Sequence, residues 1–310
     1  MMAFIRRGLS QATRRSYLLA KARYRLSRSD PIETNPVIVY TVGKVGSSSV
    51  AATLSSAGYN RPVAHVHWLQ LAHLERDERH YKYRARQYFG RQRVARLLPY
   101  YIWLGKSLNR AIARAPREKT WDVITMVREP VARNVSAFFQ NLEPRFDVWP
   151  EEAFTGRPVE ETADWLIDLF LAAYVEDRSF AEEDGNPLTW FDIELNPTFG
   201  VDVFASRFMI ERGFQTYSSS NARILLMRLE DLDRVGRSAL EGFLSTRLTS
   251  LSKANDAIAK AYANVYRAFK ERIRLPAWYL EQLYSSRYCR HFYSEAELGE
   301  FKKFWDKPGM

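Results

Sequence analysis

The apolar positions of this chain fall in short runs that alternate with longer segments of helical character. The short runs, which are mostly apolar and rich in β-branched residues, are 37–40, 121–127 and 223–228. Runs of this length and composition are typical of strands buried on both faces, as in a parallel sheet. The segments of helical character are 50–57, 76–118, 151–184 and 252–274. The alternation predicts an α/β fold with a central parallel sheet, flanking helices and helical insertions.

A loop rich in glycine and serine follows the first apolar run directly. Residues 41–49 read Thr-Val-Gly-Lys-Val-Gly-Ser-Ser-Ser. Glycine lets the backbone approach a ligand closely, and the first N–H groups of the next helix have no intrahelical partner, so they can bind an anion. The loop therefore predicts a phosphate or sulfate site. Its candidate residues are Lys44, Val45, Gly46, Ser47, Ser48 and Ser49. The alternative is an ordinary turn with an N-capping serine.

The order of residues in this loop differs from that of a Walker A motif. In a Walker A motif the lysine follows the second glycine, whereas Lys44 precedes Gly46. The difference argues against a kinase or ATPase, although a nucleotide-dependent kinase of the P-loop type stays open as an alternative. The succession of strand, loop and helix still predicts a P-loop-like domain.

A second candidate anion site follows the run 121–127. Arg128 comes at the carboxyl end of that run, where open α/β sheets bind their ligands. Pro130 suits the first turn of a new helix, in which Arg133 and Ser136 lie three residues apart on one face. Arg128 can hold an anion through two parallel hydrogen bonds, and Ser136 can donate to the same group. The alternative is that Arg128 pairs with a carboxylate such as Glu129.

The two segments resemble motifs of one family. Residues 44–48 resemble the 5′-phosphosulfate loop of sulfotransferases that use 3′-phosphoadenosine 5′-phosphosulfate (PAPS). Residues 128–136 resemble the 3′-phosphate element of that family, in which an Arg-acidic-Pro run precedes a second Arg and a Ser. The resemblance is closest to carbohydrate sulfotransferases of the uronyl 2-O and heparan type. It extends to bacterial proteins grouped as capsular polysaccharide synthesis enzymes.

The resemblance implies an activity and several residue roles. PAPS would be the donor, no metal would be needed, and the acceptor would be a carbohydrate hydroxyl. Lys44 would act in catalysis, while Arg128 and Ser136 would bind the 3′-phosphate. The tail around 283–293 is similar to the aromatic C-terminal segment of the family, which places Arg287 near the nucleotide. The Lys-Gly-Arg loop that many members use beside the 3′-phosphate is absent from this chain.

A pair of histidines supplies the candidate base. Residues 65–69 read His-Val-His-Trp-Leu. They are similar to a His-Val-x-aromatic-Leu stretch of the uronyl 2-O-sulfotransferases, whose His is the catalytic base. The similarity assigns the base to His65, with His67 as the second candidate. Both side chains face one side of a strand because the side-chain period is two. The alternative is a structural histidine at the end of a strand.

Basic residues are concentrated in two segments. Residues 1–30 contain eight Lys or Arg and one acidic residue, and residues 76–119 contain thirteen and three. Such segments favour an anionic partner. We expect an anionic carbohydrate acceptor, peripheral contact of the 1–30 arm with an anionic membrane, and no nucleic acid. A non-catalytic protein that binds polysaccharide or membrane is the other alternative.

Composition limits the cellular setting. The single cysteine, Cys289, excludes an intrachain disulfide, which suits a reducing cytoplasm. No run is long and apolar enough to span a bilayer, and no signal-peptide pattern is present. We therefore expect a cytoplasmic bacterial protein, with a membrane-peripheral location as the alternative. It would have a basic arm over 1–30 and a sulfotransferase-like domain over 31–310.

Overall fold

The computed structural model describes residues 30–57, 59–87, 98–177, 185–252 and 262–306. The predicted basic arm lies outside these residues except for Asp30. So do residues 88–97 of the predicted 76–118 helical segment, residues 178–184 of the predicted 151–184 segment and residues 253–261 of the predicted 252–274 helix. Within the described part of the chain, no helix is both long enough and apolar enough to cross a bilayer.

Five strands form one sheet, and this confirms the predicted α/β fold. The strands are β1 (Val37–Tyr40), β2 (Val63–Val66), β3 (Trp121–Val127), β4 (Phe214–Ser218) and β5 (Ala222–Arg228). Their order across the sheet is β2-β1-β3-β5-β4. The first four in this order run parallel, and every residue of β1 and β3 is buried.

The edge strand β4 differs from the predicted parallel sheet. It pairs antiparallel with β5, from Phe214 opposite Met227 to Ser218 opposite Arg223. Only three residues separate the two strands, and a connection that short can join antiparallel but not parallel neighbours. The mostly polar sequence of β4 gives no apolar run by which to recognise it.

Helices and helical turns make up most of the remaining described structure. The α-helices are α1 (Pro31–Thr34), α2 (Ser47–Ser56), α3 (Leu71–Gln87), α4 (Leu98–Arg114), α5 (Pro130–Gln140), α6 (Leu142–Phe146), α7 (Pro150–Ala153), α8 (Val159–Phe170), α9 (Asn196–Phe199), α10 (Leu232–Leu244), α11 (Ala263–Arg272), α12 (Ala277–Tyr284), α13 (Arg287–Phe292) and α14 (Glu295–Trp305). Two π-helical turns span Leu171–Glu176 and Phe191–Leu195, and two 3₁₀ turns span Ile210–Arg212 and Leu229–Asp231.

The packing of these elements brings three strand ends together. Helix α2 packs against β1 and β2, α4 packs against β2, and α10 packs against β5. Strands β2, β1 and β3 are neighbours and run in the same direction, so their carboxyl ends share one edge of the sheet. The loop 41–46, His67 and Arg128 each follow one of these ends. The topology thus places all three predicted elements of the site side by side.

Candidate functional site

The loop after β1 adopts a backbone that ordinary residues avoid. Lys44 has φ of 72° and Gly46 has φ of 87°, both in the left-handed region. Gly46 is the N-cap of α2, and a Cβ at this position would lie 2.5 Å from Cδ1 of Leu229. The positive φ favours glycine there, and a larger residue would also displace the Leu229 side chain. The left-handed backbone at Lys44 costs roughly 1–3 kcal/mol, which the surrounding contacts must offset.

Two arginines of the second motif hold this loop through its carbonyl groups. The Arg128 guanidinium donates from Nη1 to the carbonyl oxygen of Lys44 at 3.0 Å. Arg133, which is 1% exposed, donates from Nε to the carbonyl oxygen of Gly43 at 3.0 Å. Segments some eighty to ninety residues apart in sequence are thus joined directly. The contacts also stabilise the unusual backbone at Lys44.

The remaining candidate anion ligands lie around the same loop. Ser47 is buried at the first position of α2, whereas Ser48 and Ser49 are partly exposed. The Lys44 ammonium donates to Oε1 of Gln140 at 2.5 Å. Because Gln140 is the last residue of α5, the helix that carries Arg133 and Ser136 also restrains the lysine. Ser136 is partly exposed on that helix.

The two histidines lie together beside the loop. Their ring centroids are 5.0 Å apart, in an edge-to-face arrangement. Nε2 of His65 lies 2.9 Å from Oγ of Ser47, so this ring contacts the start of α2. Nδ1 of His67 donates to the carbonyl oxygen of Thr41 at 2.8 Å. Since a carbonyl can only accept, this bond places the proton on Nδ1 and leaves a lone pair on Nε2 of the neutral ring.

The surroundings of His67 favour its neutral form. Burial lowers the pKa of the His67 imidazole below its ordinary value. The hydrogen bond to Thr41 opposes this shift, while the positive charges of Arg133 and Lys44 add to it. A neutral imidazole with a lone pair on Nε2 is the form that a general base requires.

A buried carboxylate that was not predicted from the sequence binds the backbone just after the two histidines. Glu194 is fully buried in the π-helical turn Phe191–Leu195. Its carboxylate accepts from the backbone N–H of Leu69 at 2.8 Å and of Gln70 at 3.2 Å. It also accepts hydrogen bonds from the Tyr40 hydroxyl and from Nδ1 of His73. The π-helical geometry, common at functional sites, has no clear signature in the sequence.

The C-terminal segment contacts Arg128 through Tyr288, whereas Arg287 contacts Asp192 and Phe204. The Tyr288 hydroxyl accepts from the backbone N–H of Arg128 at 3.1 Å and donates to the carbonyl oxygen of the same residue at 2.9 Å. Arg287 pairs with Asp192 at 2.5 Å and lies 4.0 Å from the ring centroid of Phe204. The assignment of Arg287 to the nucleotide stays a prediction.

A family model matches part of the chain. Residues 176–294 match the family described as "Putative capsular polysaccharide synthesis protein". The matched stretch includes the π-helical turn with Glu194, strands β4 and β5, and Tyr288. It does not include the 43–49 loop, the histidine pair or Arg128. No curated protein and no solved structure matched the chain in the other two comparisons.

Proposed function

We propose that this protein is a PAPS-dependent sulfotransferase that modifies a hydroxyl of a carbohydrate during capsular polysaccharide synthesis. The observation that carries the proposal is the direct contact between two anion-binding motifs at one edge of the sheet. The side chains of Arg128 and Arg133 donate hydrogen bonds to the carbonyl oxygens of Lys44 and Gly43, respectively. A nucleotide with anionic groups at both its 5′ and its 3′ positions suits such a pair of sites. The family match over 176–294 supports the polysaccharide pathway.

The two ends of the proposed donor would bind to different motifs. The 5′-phosphosulfate would lie at the N-terminus of α2, where backbone N–H groups, the helix dipole and the Lys44 charge favour an anion. Ser48 and Ser49 would add hydroxyl donors. Arg128 and Ser136 would bind the 3′-phosphate, since a guanidinium is suited to two-point phosphate recognition. The described residues thus offer a positive group for each end of the donor.

The proposed reaction is an in-line displacement at sulfur. The acceptor oxygen forms a bond to sulfur while the bond from sulfur to the 5′-phosphate oxygen breaks, and adenosine 3′,5′-bisphosphate leaves. The acceptor proton passes to an imidazole. Lys44 and the loop N–H groups would stabilise the charge that develops on the leaving oxygen, the largest contribution at many such sites.

Either histidine of the pair can receive the proton. The resemblance assigns the role to His65, whose Nε2 already lies 2.9 Å from Oγ of Ser47 at the donor loop. His67 has a specific feature in its favour, because the hydrogen bond to Thr41 leaves a lone pair on Nε2. We retain His65 as the proposed base and His67 as the alternative.

A transfer assay tests the proposal. Radiolabelled PAPS would be incubated with acidic and neutral glycans, using wild type, Lys44→Ala and the control Lys303→Ala, an exposed lysine of α14. We expect label transfer by wild type and the control. Lys44→Ala should lose about 10²–10³ in kcat with a smaller loss of donor affinity, because its contact strengthens in the transition state. No transfer to any glycan, or an equal loss by Lys303→Ala, contradicts the proposal.

A further inference from the structure

The outer surface of α4 carries an aromatic cluster next to the candidate base. The Tyr100 ring lies 5.8 Å from that of Tyr101 and 6.1 Å from that of Trp103, measured between centroids. The Tyr101 ring in turn lies 6.4 Å from the imidazole of His65. Trp103, at the far side of the cluster, is 37% exposed. The cluster therefore forms a continuous aromatic surface that begins at the site and ends in solvent.

The direction of α4 explains why only one end of the helix reaches the site. Leu104, Leu108 and Ala111 are buried and form the face that packs on the domain. Arg114, in the last turn, pairs with Asp30, which precedes β1 and so lies toward the amino edge of the sheet. The first turn consequently lies toward the carboxyl edge. The outer face of α4 runs from the site down the side of the domain.

One positive charge lies farther along this outer face. Arg110 is exposed and, among the described residues, forms no hydrogen bond or ion pair. It is seven residues beyond Trp103, which is two helical turns or about 10 Å along the axis. The other basic side chains of the helix are engaged, because Lys106 pairs with Glu78 and Arg114 pairs with Asp30. Among the described residues, one exposed arginine beyond an aromatic platform fits an acidic sugar chain better than nucleic acid, which requires many backbone contacts.

We propose that the surface formed by Tyr100, Tyr101, Trp103 and Arg110 binds the acceptor, an acidic polysaccharide, along α4. The inference rests on the proposed function and adds the path of the acceptor. The Tyr101 ring borders the sugar that reacts at His65. The faces of Tyr100 and Trp103 pack against the C–H surfaces of the following sugars. Arg110 pairs with a carboxylate farther along the chain, so its contribution depends on chain length.

Binding of defined oligosaccharides tests this path. The probes are fluorescent tetrasaccharides and decasaccharides of hyaluronan and of polygalacturonate, titrated with and without saturating adenosine 3′,5′-bisphosphate. Trp103→Ala should weaken binding of both lengths by about 10-fold through the lost aromatic contact. Arg110→Ala should weaken only the decasaccharide, by about 2- to 5-fold as expected for an exposed ion pair. The matched controls are Trp278→Ala, a more exposed tryptophan, and Arg267→Ala, an exposed arginine of α11.

The outcomes separate this inference from the proposed function. If wild type binds neither glycan, or if Trp103→Ala binds as wild type does while nucleotide binding is intact, the path along α4 is wrong. A loss shared by Trp278→Ala also contradicts it, as does tighter, Trp103-dependent binding of single-stranded RNA. Glycan binding that depends on Trp103 in a protein that binds no nucleotide supports the path and overturns the sulfotransferase proposal. Melting temperatures of all variants serve as the control for folding.

Discussion

Two buried carboxylates, Glu129 and Glu194, support opposite halves of the candidate site in different ways. Glu129 is 3% exposed and caps α5, accepting from the backbone N–H of Val131 at 2.7 Å and of Ala132 at 2.6 Å. Glu194 has no exposed surface, and the partners of its carboxylate lie 121 to 154 residues away. One carboxylate acts locally within a motif, and the other joins distant segments.

The local carboxylate fixes the half that we assign to the 3′-phosphate. The residue before Glu129 is Arg128, and the helix that Glu129 caps carries Arg133 and Ser136. The Tyr284 hydroxyl donates to Glu129 at 2.7 Å, which ties the C-terminal helices to this half. Burial raises the pKa of Glu129, while the hydrogen bonds from Tyr284, Ala132 and Val131 act against the shift.

The long-range carboxylate fixes the half that we assign to chemistry. Glu194 binds the backbone directly after the histidine pair, and the neighbouring Trp190 donates from Nε1 to the carbonyl oxygen of His67 at 3.2 Å. From this comparison we predict that donor affinity depends on the Glu129 half and turnover on the Glu194 half. Substitutions in each half test this division.

The largest expected effect is that of His65→Ala on turnover. Loss of the base should lower kcat by about 10²–10⁴. Donor affinity should change only slightly, because the base acts on the acceptor hydroxyl rather than on the donor. Steady-state kinetics and calorimetry with adenosine 3′,5′-bisphosphate measure the two quantities. An active His65→Ala together with an inactive His67→Ala transfers the role to His67.

Arg128→Ala should reduce nucleotide affinity rather than turnover. We expect nucleotide binding to weaken by about 2–5 kcal/mol, since a charge-assisted contact is removed and an anion is left unpaired. Adenosine 5′-phosphate, which lacks the 3′-phosphate, should bind wild type and variant with more similar affinities. If the variant still discriminates between the two nucleotides as well as wild type does, Arg128 serves only to hold the Lys44 carbonyl.

Glu194→Gln and Glu129→Gln form a matched pair that tests the division itself. Each variant puts an NH₂ group where an acceptor is needed, and a buried N–H left unpaired costs about 1–3 kcal/mol of stability. Both should therefore lower the free energy of unfolding, measured by denaturant titration. Glu194→Gln should then reduce kcat at saturating donor, whereas Glu129→Gln should reduce nucleotide affinity. Equal effects of both variants on both quantities would remove the distinction between the halves.

The smallest expected effect is the contribution of His67 to the pH dependence of the free energy of unfolding. Because its folded pKa is lowered from 6.5, its contribution to the free energy of unfolding is complete above pH 6.5. That contribution is lost as the pH falls from there through the lowered folded pKa. His67→Asn keeps a donor for the Thr41 carbonyl but does not titrate, so its stability should fall less than that of wild type on acidification. Parallel curves for the two proteins would show that His67 titrates normally in the folded state.

The sequence predicted the parts of the molecule that are encoded locally. The runs at 37–40, 121–127 and 223–228 are strands, and the loop at 43–49 leads into α2 as expected. The motif at 128–136 forms a helix that begins at Pro130. Each of these features arises from neighbouring residues, through apolar runs, glycine conformation or proline at a helix start. A local pattern is sufficient to recognise them.

The parts that were not predicted depend on contacts between distant segments. The Gln140 contact with Lys44, the Tyr288 contact with Arg128 and the Glu194 hydrogen bonds join residues 96 to 160 positions apart. Within the sequence Glu194 is one acidic residue among many. Strand β4 was missed for a related reason, because its place in the sheet comes from pairing with β5. Recognising such features requires the fold.

The most direct test of the central claim is a calorimetric titration of the wild-type protein with adenosine 3′,5′-bisphosphate in the absence of magnesium. The account predicts saturable binding with one site, at least tenfold weaker binding of adenosine 5′-phosphate (a difference of about 1.4 kcal/mol), and no gain when magnesium is added. Equal affinity for the two nucleotides, or binding only of ATP with magnesium, would contradict the assignment of the Lys44 loop and Arg128 to a PAPS site.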